Sequence, residues 1–255
     1  MNREFRKRKI KSILQQNKHV LSDDLSRQFE VSLETIRRDL IALEKENVLK
    51  RVYGGAEIQP SFENKTLSHF EIRKKEHFTE KNIIAENAVK LIKNNDVIYI
   101  DSGTTTYMMF DKIPLDKKLT IITNSSYCIN QLSMRPNITM VCIGGVLHRE
   151  SMSFIGESAL LSIEGLNINS AFISATAVSI HQGIMGSYID LALVTRKVIN
   201  KANNCYLLCD SSKFNNFAFI EICGLSKIKG IITDKNIPHD LKNSIEKIGV
   251  KVQVV

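Results

Sequence analysis

The stretch VIYIDSGTTTYMMF sets an acid, a serine, a glycine and three threonines in consecutive positions, Asp101 to Thr106. Ser102, Gly103, Thr104 and Thr105 offer backbone N–H groups and hydroxyls where a buried strand would give way to a helix, and such a junction binds anions. Three more polar clusters each follow an apolar run: Thr123-Asn124-Ser125, Gly144-Gly145 and Asp210-Ser211-Ser212-Lys213. Gly144 and Gly145 permit close backbone approach. Lys213 can supply a point charge for a phosphate, while Asp101, Asn124 and Asp210 suit sugar hydroxyls. Any one of these loops is common; four of them together describe a site for a phosphorylated, polyhydroxylated small molecule.

A second constellation suits a polyanion. VSLETIRRDL, from Val31 to Leu40, carries two adjacent arginines in a short amphipathic helix. At about 100° per residue, Ile36, Leu40 and Leu43 form the core seam. Arg38 falls opposite, flanked by Glu34, Thr35 and Ala42, and Arg37 falls on the shoulder, where a helix meets a phosphate rail. Asp39 is placed to tether one of the pair. Charged helix faces are ordinarily just solvated, so the pair needs its surroundings to give it meaning.

Those surroundings are a helix, a tight turn and a helix. Ile10, Ile13 and Leu14 line one face of a basic helix over Phe5 to Gln16. Ser22 is expected to cap the next helix, with Asp23 and Asp24 favouring its positive end. Ser32 is expected to cap the arginine-bearing one. Asn47 then stops the helix, and VLKRVYGGA reads as a basic hairpin with Lys50 and Arg51 facing a nucleic-acid backbone. The expected DNA-facing set is Ser22, Ser32, Glu34, Thr35, Arg37, Arg38, Lys50 and Arg51.

Charge follows the same division. The chain of 255 residues has a formal charge of +8 and a pI near 9.2, and the first 56 residues hold +5 of that excess. A basic head on a near-neutral body is the electrostatic footprint of a nucleic-acid binder. With 43% hydrophobic and 24% charged residues, the chain can bury a core. MNREFRKRKIKSIL is too charged for a secretion signal, and no run approaches the roughly 18 apolar residues a membrane span needs. A cytoplasmic protein without membrane contact is expected. The five cysteines, Cys128, Cys142, Cys205, Cys209 and Cys223, contain no CxxC pair and suit reduced thiols. Neither a metal site nor a cofactor is expected.

Residues 1–56 thus read as a winged helix-turn-helix, 57–78 as a linker, and 79–255 as an α/β domain. The linker ends in a helix starting near Thr79 and Glu80 and running through Ile83, Ile84, Ala88, Leu91 and Ile92. Beyond it, strands alternate with helices, which implies a mainly parallel sheet whose ligands sit at the carboxyl ends of the strands.

The run RKIKSIL through LSDDLSRQFEVSLETIRRDLIALEKENVLKRVYGGA resembles the N-terminal domain of the DeoR family of bacterial transcription regulators, with its TIRRDL segment, Leu43-Glu44 pair and Gly54-Gly55-Ala56 turn. DSGTTT, TNS, the glycine pair, FIGESAL and DSSKF resemble that family's effector domain, in the family's order. The resemblance implies a recognition helix within Ser32 to Lys45. It also implies a sensor domain similar in fold to ribose-5-phosphate isomerase, and a phosphorylated sugar effector that alters operator binding. Arg149 stands where the family often has a basic residue. Two departures concern the same region: ISATAVSIHQGIMG replaces a glycine-rich turn, and Leu191 replaces an acid, with Asp190 one place earlier.

The expected function is therefore a DNA-binding regulator, a repressor of carbohydrate metabolism acting on double-stranded operator DNA as a homo-oligomer, dimer or tetramer. The alternative is a sugar-phosphate isomerase or deaminase with an appended basic domain. It would need a positioned general base, from Asp101, Asp210, His148 or His181. A constitutive DNA binder with a vestigial pocket is the third reading.

Overall fold

The computed structural model describes residues 2–59 and 69–255, and the chain divides into two compact units between residues 68 and 69. Pro60 and Asn64 of the expected linker lie outside the described residues.

The first unit runs α1 (Arg3–Asn17), β1 (His19–Leu21), α2 (Ser22–Phe29), α3 (Leu33–Lys45), β2 (Leu49–Val52) and β3 (Gly55–Ile58). Its core gathers the periodic positions of every element, Ile10 and Leu14, Leu25, Ile36, Leu40 and Leu43, with Val48, Leu49 and Ala56 from the hairpin. Each fully buried aliphatic chain there is worth about 1.5–3 kcal/mol of transfer free energy. The strand β1 was not expected from the sequence. It pairs antiparallel with β3, closing a three-stranded sheet. Gly55 makes that pairing possible, because a Cβ there would lie 1.9 Å from the Val20 carbonyl oxygen. Its neighbour Gly54 turns the hairpin at φ +78°.

Two capping expectations part company. Ser32 caps α3, its hydroxyl accepting from Thr35 N at 3.3 Å. Ser22 does not cap α2. Leu21 occupies that position, and Ser22 is the first helical residue, its N–H donating to Gly54 O at 2.8 Å. The wing tip takes the place of a side-chain cap.

The second unit begins with α4 (His69–Lys75) and α5 (Phe78–Val89), followed by β4 (Val97–Ile100), α6 (Thr104–Tyr107), β5 (Leu119–Thr123), α7 (Ser126–Leu132), β6 (Ile138–Cys142), the hairpin β7 (Val146–His148) and β8 (Ser153–Ile155), and α8 (Glu157–Ile163). Then come β9 (Ile168–Ile173), β10 (Ala177–Ser179), β11 (Gly183–Gly186), α9 (Ile189–Lys201), β12 (Ala202–Leu208), β13 (Ile220–Cys223), β14 (Gly230–Thr233), α10 (His239–Lys247) and β15 (Lys251–Val254). Segment 69–78 was expected to be linker. Phe70 is instead fully buried, stacked on Tyr127 at 4.3 Å and edge-on to Tyr107 at 5.3 Å, so α4 belongs to this unit's core.

Seven strands form one sheet in the order β15-β14-β12-β9-β4-β5-β6, every neighbouring pair parallel. Alternate residues feed two cores. Ile98, Ile100, Ile121 and Phe172 pack under α4, α5 and α7; Tyr99, Ile122, Ala171 and Ile173 pack under α8, α9 and α10. The chain order reverses between β4 and β9. In a sheet of this kind a crevice opens at that reversal, beyond the carboxyl ends of the two strands. No helix among the described residues is long and apolar enough to cross a membrane.

Candidate functional site

Asp101 and Ser174 follow β4 and β9, on either side of the reversal. Asp101 is buried, and its carboxylate joins the two strands. Oδ2 accepts from Ser174 N at 2.7 Å and Ser174 Oγ at 2.9 Å. Oδ1 accepts from Gly103 N at 2.9 Å and from the Thr106 hydroxyl. Burial pushes this carboxyl above the usual carboxylate range, and those donors draw it only partway back. A carboxylate with four donors on it is a brace and leaves little capacity for a general base. Gly103 must be glycine for the brace to close, since a Cβ would meet Ser174 Oγ at 1.9 Å.

Over this brace lies a cavity of about 260 Å³, lined by Asp101, Ser102, Gly103, Ser151, Ser174, Thr176, Ser187, Tyr188 and Thr195, with His69 and Arg73 from α4. Hydroxyl side chains recur around the walls, with Leu191, Ala192 and Ile222 as an apolar patch. Such a lining suits a small polyol.

Arg73, Ser174, Ala175 and Thr176 also line an adjoining recess of about 50 Å³, completed by Lys81, Thr104, Thr105, Leu208, Cys209 and Lys213. Three cations and three threonines in so small a space suit a phosphoryl group. Lys81 is 1% exposed, and its Nζ donates to the Arg73 carbonyl. Burial pushes the Lys81 ammonium below the usual lysine range, and Asp210 draws it partway back. Asp210 is itself buried. Its Oδ1 accepts from Ser212 N at 3.1 Å, while Oδ2 has no hydrogen-bond partner.

In the first unit, α3 presents Glu34, Arg37 and Arg38 to solvent, with Thr35 half-buried between them. Arg38 pairs with Glu34 at 3.3 Å. The two arginines diverge. Arg37 lines a groove with Ser22, Arg51 and the wing tip, whereas Arg38 lines one with Thr35, Arg3 and Lys45. Arg51 is anchored to Glu44, N–H to Oε1 at 2.9 Å and Nε to Oε2 at 2.7 Å, while Lys50 is exposed. Asp39 tethers neither member of the pair. It is 1% exposed and binds Arg6 at 2.5 Å and Arg3 at 3.3 Å, both from α1.

Residues 6–62 match the model of the DeoR-like helix-turn-helix domain, and residues 76–235 that of the DeoR C-terminal sensor domain. The chain belongs to the DeoR family. It is 36% identical to the HTH-type transcriptional regulator YulB of Bacillus subtilis (strain 168), over 98% of this chain and 96% of that one. It is 31% identical to the lactose phosphotransferase system repressor of Staphylococcus epidermidis over the full length of both. Ribose 5-phosphate isomerase A from Methanocaldococcus jannaschii superposes on 52% of this chain and 53% of its own, with TM-score 0.40 and 18% identity. This DeoR-family protein is a transcription regulator; among its relatives some are named repressors and one, from Haemophilus influenzae, an L-fucose operon activator.

Of the expected effector residues, the sensor domain brings Asp101, Ser102, Gly103, Thr104, Thr105 and Lys213 to the cavity or its recess, with Asp210 beside the recess at Lys81. Thr123, Asn124, Gly144, Gly145 and Arg149 line neither space. Thr123 Oγ1 accepts from Ser125 N at 3.1 Å, and Asn124 binds Tyr99 OH at 2.9 Å and Phe154 O at 3.3 Å. Asn124 thus moors the β7–β8 hairpin to the end of β5, and Thr123 shapes the turn that follows the strand. At Gly145, φ is +137° and a Cβ would lie 2.4 Å from Ile155 O, so the glycine serves the hairpin's own packing. Gly144 and Arg149 are exposed. The hairpin instead contributes Ser151 to the lining, and the Tyr188 hydroxyl donates to Glu150 at its tip.

The sequence reading missed Arg73, Lys81, Ser174, Thr176, Ser187 and Tyr188. Lys81 had a signal: it stands at the same helical spacing as Ile84, Ala85 and Ala88, a cation in an apolar seam. Ser174 and Thr176 belong to the segment that departs from the family pattern, and that segment supplies a cavity wall. Leu191 lines the cavity, whereas Asp190 is exposed and does not.

Proposed function

We propose that this protein represses an operon of carbohydrate metabolism and that a phosphorylated sugar, bound at the sheet's reversal point, controls its hold on operator DNA. The observation that carries the effector half is the junction of two unlike spaces: a hydroxyl-lined chamber opening onto a recess with Arg73, Lys81 and Lys213. A sugar phosphate divides its chemistry in the same way. Charge-assisted contacts to the phosphoryl oxygens would supply affinity, and the chamber would select among sugars. Asp101 and Asp210 then act as braces for the loops that carry the donors. Thr123, Asn124 and Gly145 serve the packing of the surrounding loops, while Gly144 and Arg149 stand exposed beside them.

For DNA, α3 enters the major groove with Arg38 and Thr35 toward base edges, Glu34 fixing the Arg38 rotamer. Ser32 and Ser22 lie at the helix starts, and Arg37, Lys50 and Arg51 meet phosphates beside the wing. One such head makes few base contacts, which favours two or four chains acting on repeated half-sites. A ligand of this kind weakens operator binding by preferring the conformation that binds DNA poorly.

Thermal denaturation with a panel of pentose and hexose phosphates and their unphosphorylated parents tests the effector assignment. At a hundredfold excess over Kd, a ligand that binds only the folded state adds about 2.7 kcal/mol. A melting shift confined to one or a few phosphorylated sugars supports the reading. Equal shifts from the parent sugars, or none from any phosphate, contradict it.

A further inference from the structure

A groove runs between the start of α1 and the exposed face of α3. Its lining joins Arg3, Arg6, Arg38 and Lys45 to Thr35, Ile41, Ala42 and the single acid Asp39. Asp39 is taken up by Arg6, a short buried pair at 2.5 Å whose side chains are 7% and 1% exposed. Arg3 stands differently. It reaches the other carboxylate oxygen through Nε alone, at 3.3 Å, and its side chain is 60% exposed. That is long for a charge-assisted N–H···O contact, which is ordinarily about 2.7–2.9 Å. Arg3 is thus steered by Asp39 more than neutralised by it, and its terminal amino groups remain for an outside acceptor.

We infer that this groove seats a backbone phosphate of the operator, with Arg3 as its principal ligand and Asp39 as the residue that positions it. The inference rests on the reading of α3 as the groove-entering helix. Phosphate contacts from elements that flank a recognition helix fix its orientation on the duplex, and here the end of α1 that carries Arg3 borders the Arg38 face of α3. The opposite flank, with Arg37, Arg51 and Ser22, supplies the other rail. The recognition helix is then held between two phosphate seats, one from the wing and one from α1.

Arg3→Ala, Arg3→Lys and Arg38→Ala in the full-length protein, titrated against operator and random duplexes over a range of salt, test this. Arg3 is mostly exposed and the Arg6–Asp39 pair stays intact without it, so Arg3→Ala should melt with the parent protein. Arg3→Ala should weaken both duplexes by a similar factor, about tenfold, and flatten the slope of log K against log salt by roughly one. Arg3→Lys should recover most of both. Unchanged affinity and slope in Arg3→Ala would overturn the phosphate seat. So would a loss restricted to one base pair at constant slope, which marks base readout. If Arg38→Ala is silent as well, the placement of α3 fails; if Arg38→Ala weakens the operator and Arg3→Ala does not, only this seat fails.

Discussion

Lys81 carries the sharpest prediction at the scale of single residues. A lysine this deeply buried is costly unless an anion compensates it, and the nearby Asp210 carboxylate compensates it only in part. Replacing Lys81 with Met keeps the volume and removes the charge. The unliganded unit should melt no lower than before, and the shift produced by a sugar phosphate should disappear, as scanning calorimetry can show. The pH dependence follows from the direction of the shift. The folded-state pKa lies below the unfolded value near 10.5, so between the two the unfolded chain binds more protons and unliganded stability rises with pH. The phosphate needs the ammonium form, so sugar-phosphate affinity should fall with rising pH through that lowered pKa, earlier than for an ordinary lysine. Titration calorimetry at several alkaline pH values would measure it. In the head, Arg38→Ala should cost about 1–3 kcal/mol in operator binding and relax preference at one position, whereas Lys50→Ala should weaken all sequences alike. Gel shifts on single-base operator variants separate the two.

Elements explain why some of these residues were legible in the sequence and others were not. Ile36, Leu40 and Leu43 repeat at helical spacing, so α3 and its outward Arg38 could be placed from local pattern alone. The strand-end clusters at Asp101 and Lys213 were legible because a parallel sheet sends its strand ends to one rim. Which strands sit side by side is not a local property. The reversal between β4 and β9 brings Ser174 to Asp101 across 73 positions, and no spacing rule finds that pair. Arg73 was hidden in a segment that reads as connector until Phe70 is seen in the core. The three-residue β1 is too short to show alternation, and its partner's glycine looked like part of a turn. Gly55→Ala should therefore do more than loosen a turn. It drives a methyl into the Val20 carbonyl and should separate β1 from β3, lowering the head's melting temperature well beyond the effect of Ser32→Ala, which removes a cap worth about 1 kcal/mol. Circular dichroism melts of the two variants would rank them.

At the scale of the whole chain, the proposed regulation is a linkage between two binding events on separate compact units. A DeoR-family regulator with a sugar cavity and no coupling would bind its effector and its operator independently. A coupled one changes operator affinity by the same factor that the operator changes effector affinity. Fluorescence anisotropy of a labelled operator duplex, titrated with the full-length protein with and without each member of a sugar-phosphate panel, measures that factor directly. One phosphorylated sugar should raise the operator Kd by about fivefold or more, its unphosphorylated parent should have no effect, and Lys81→Met should abolish the response while leaving operator binding intact. An operator Kd that stays constant across the whole panel would contradict the linkage.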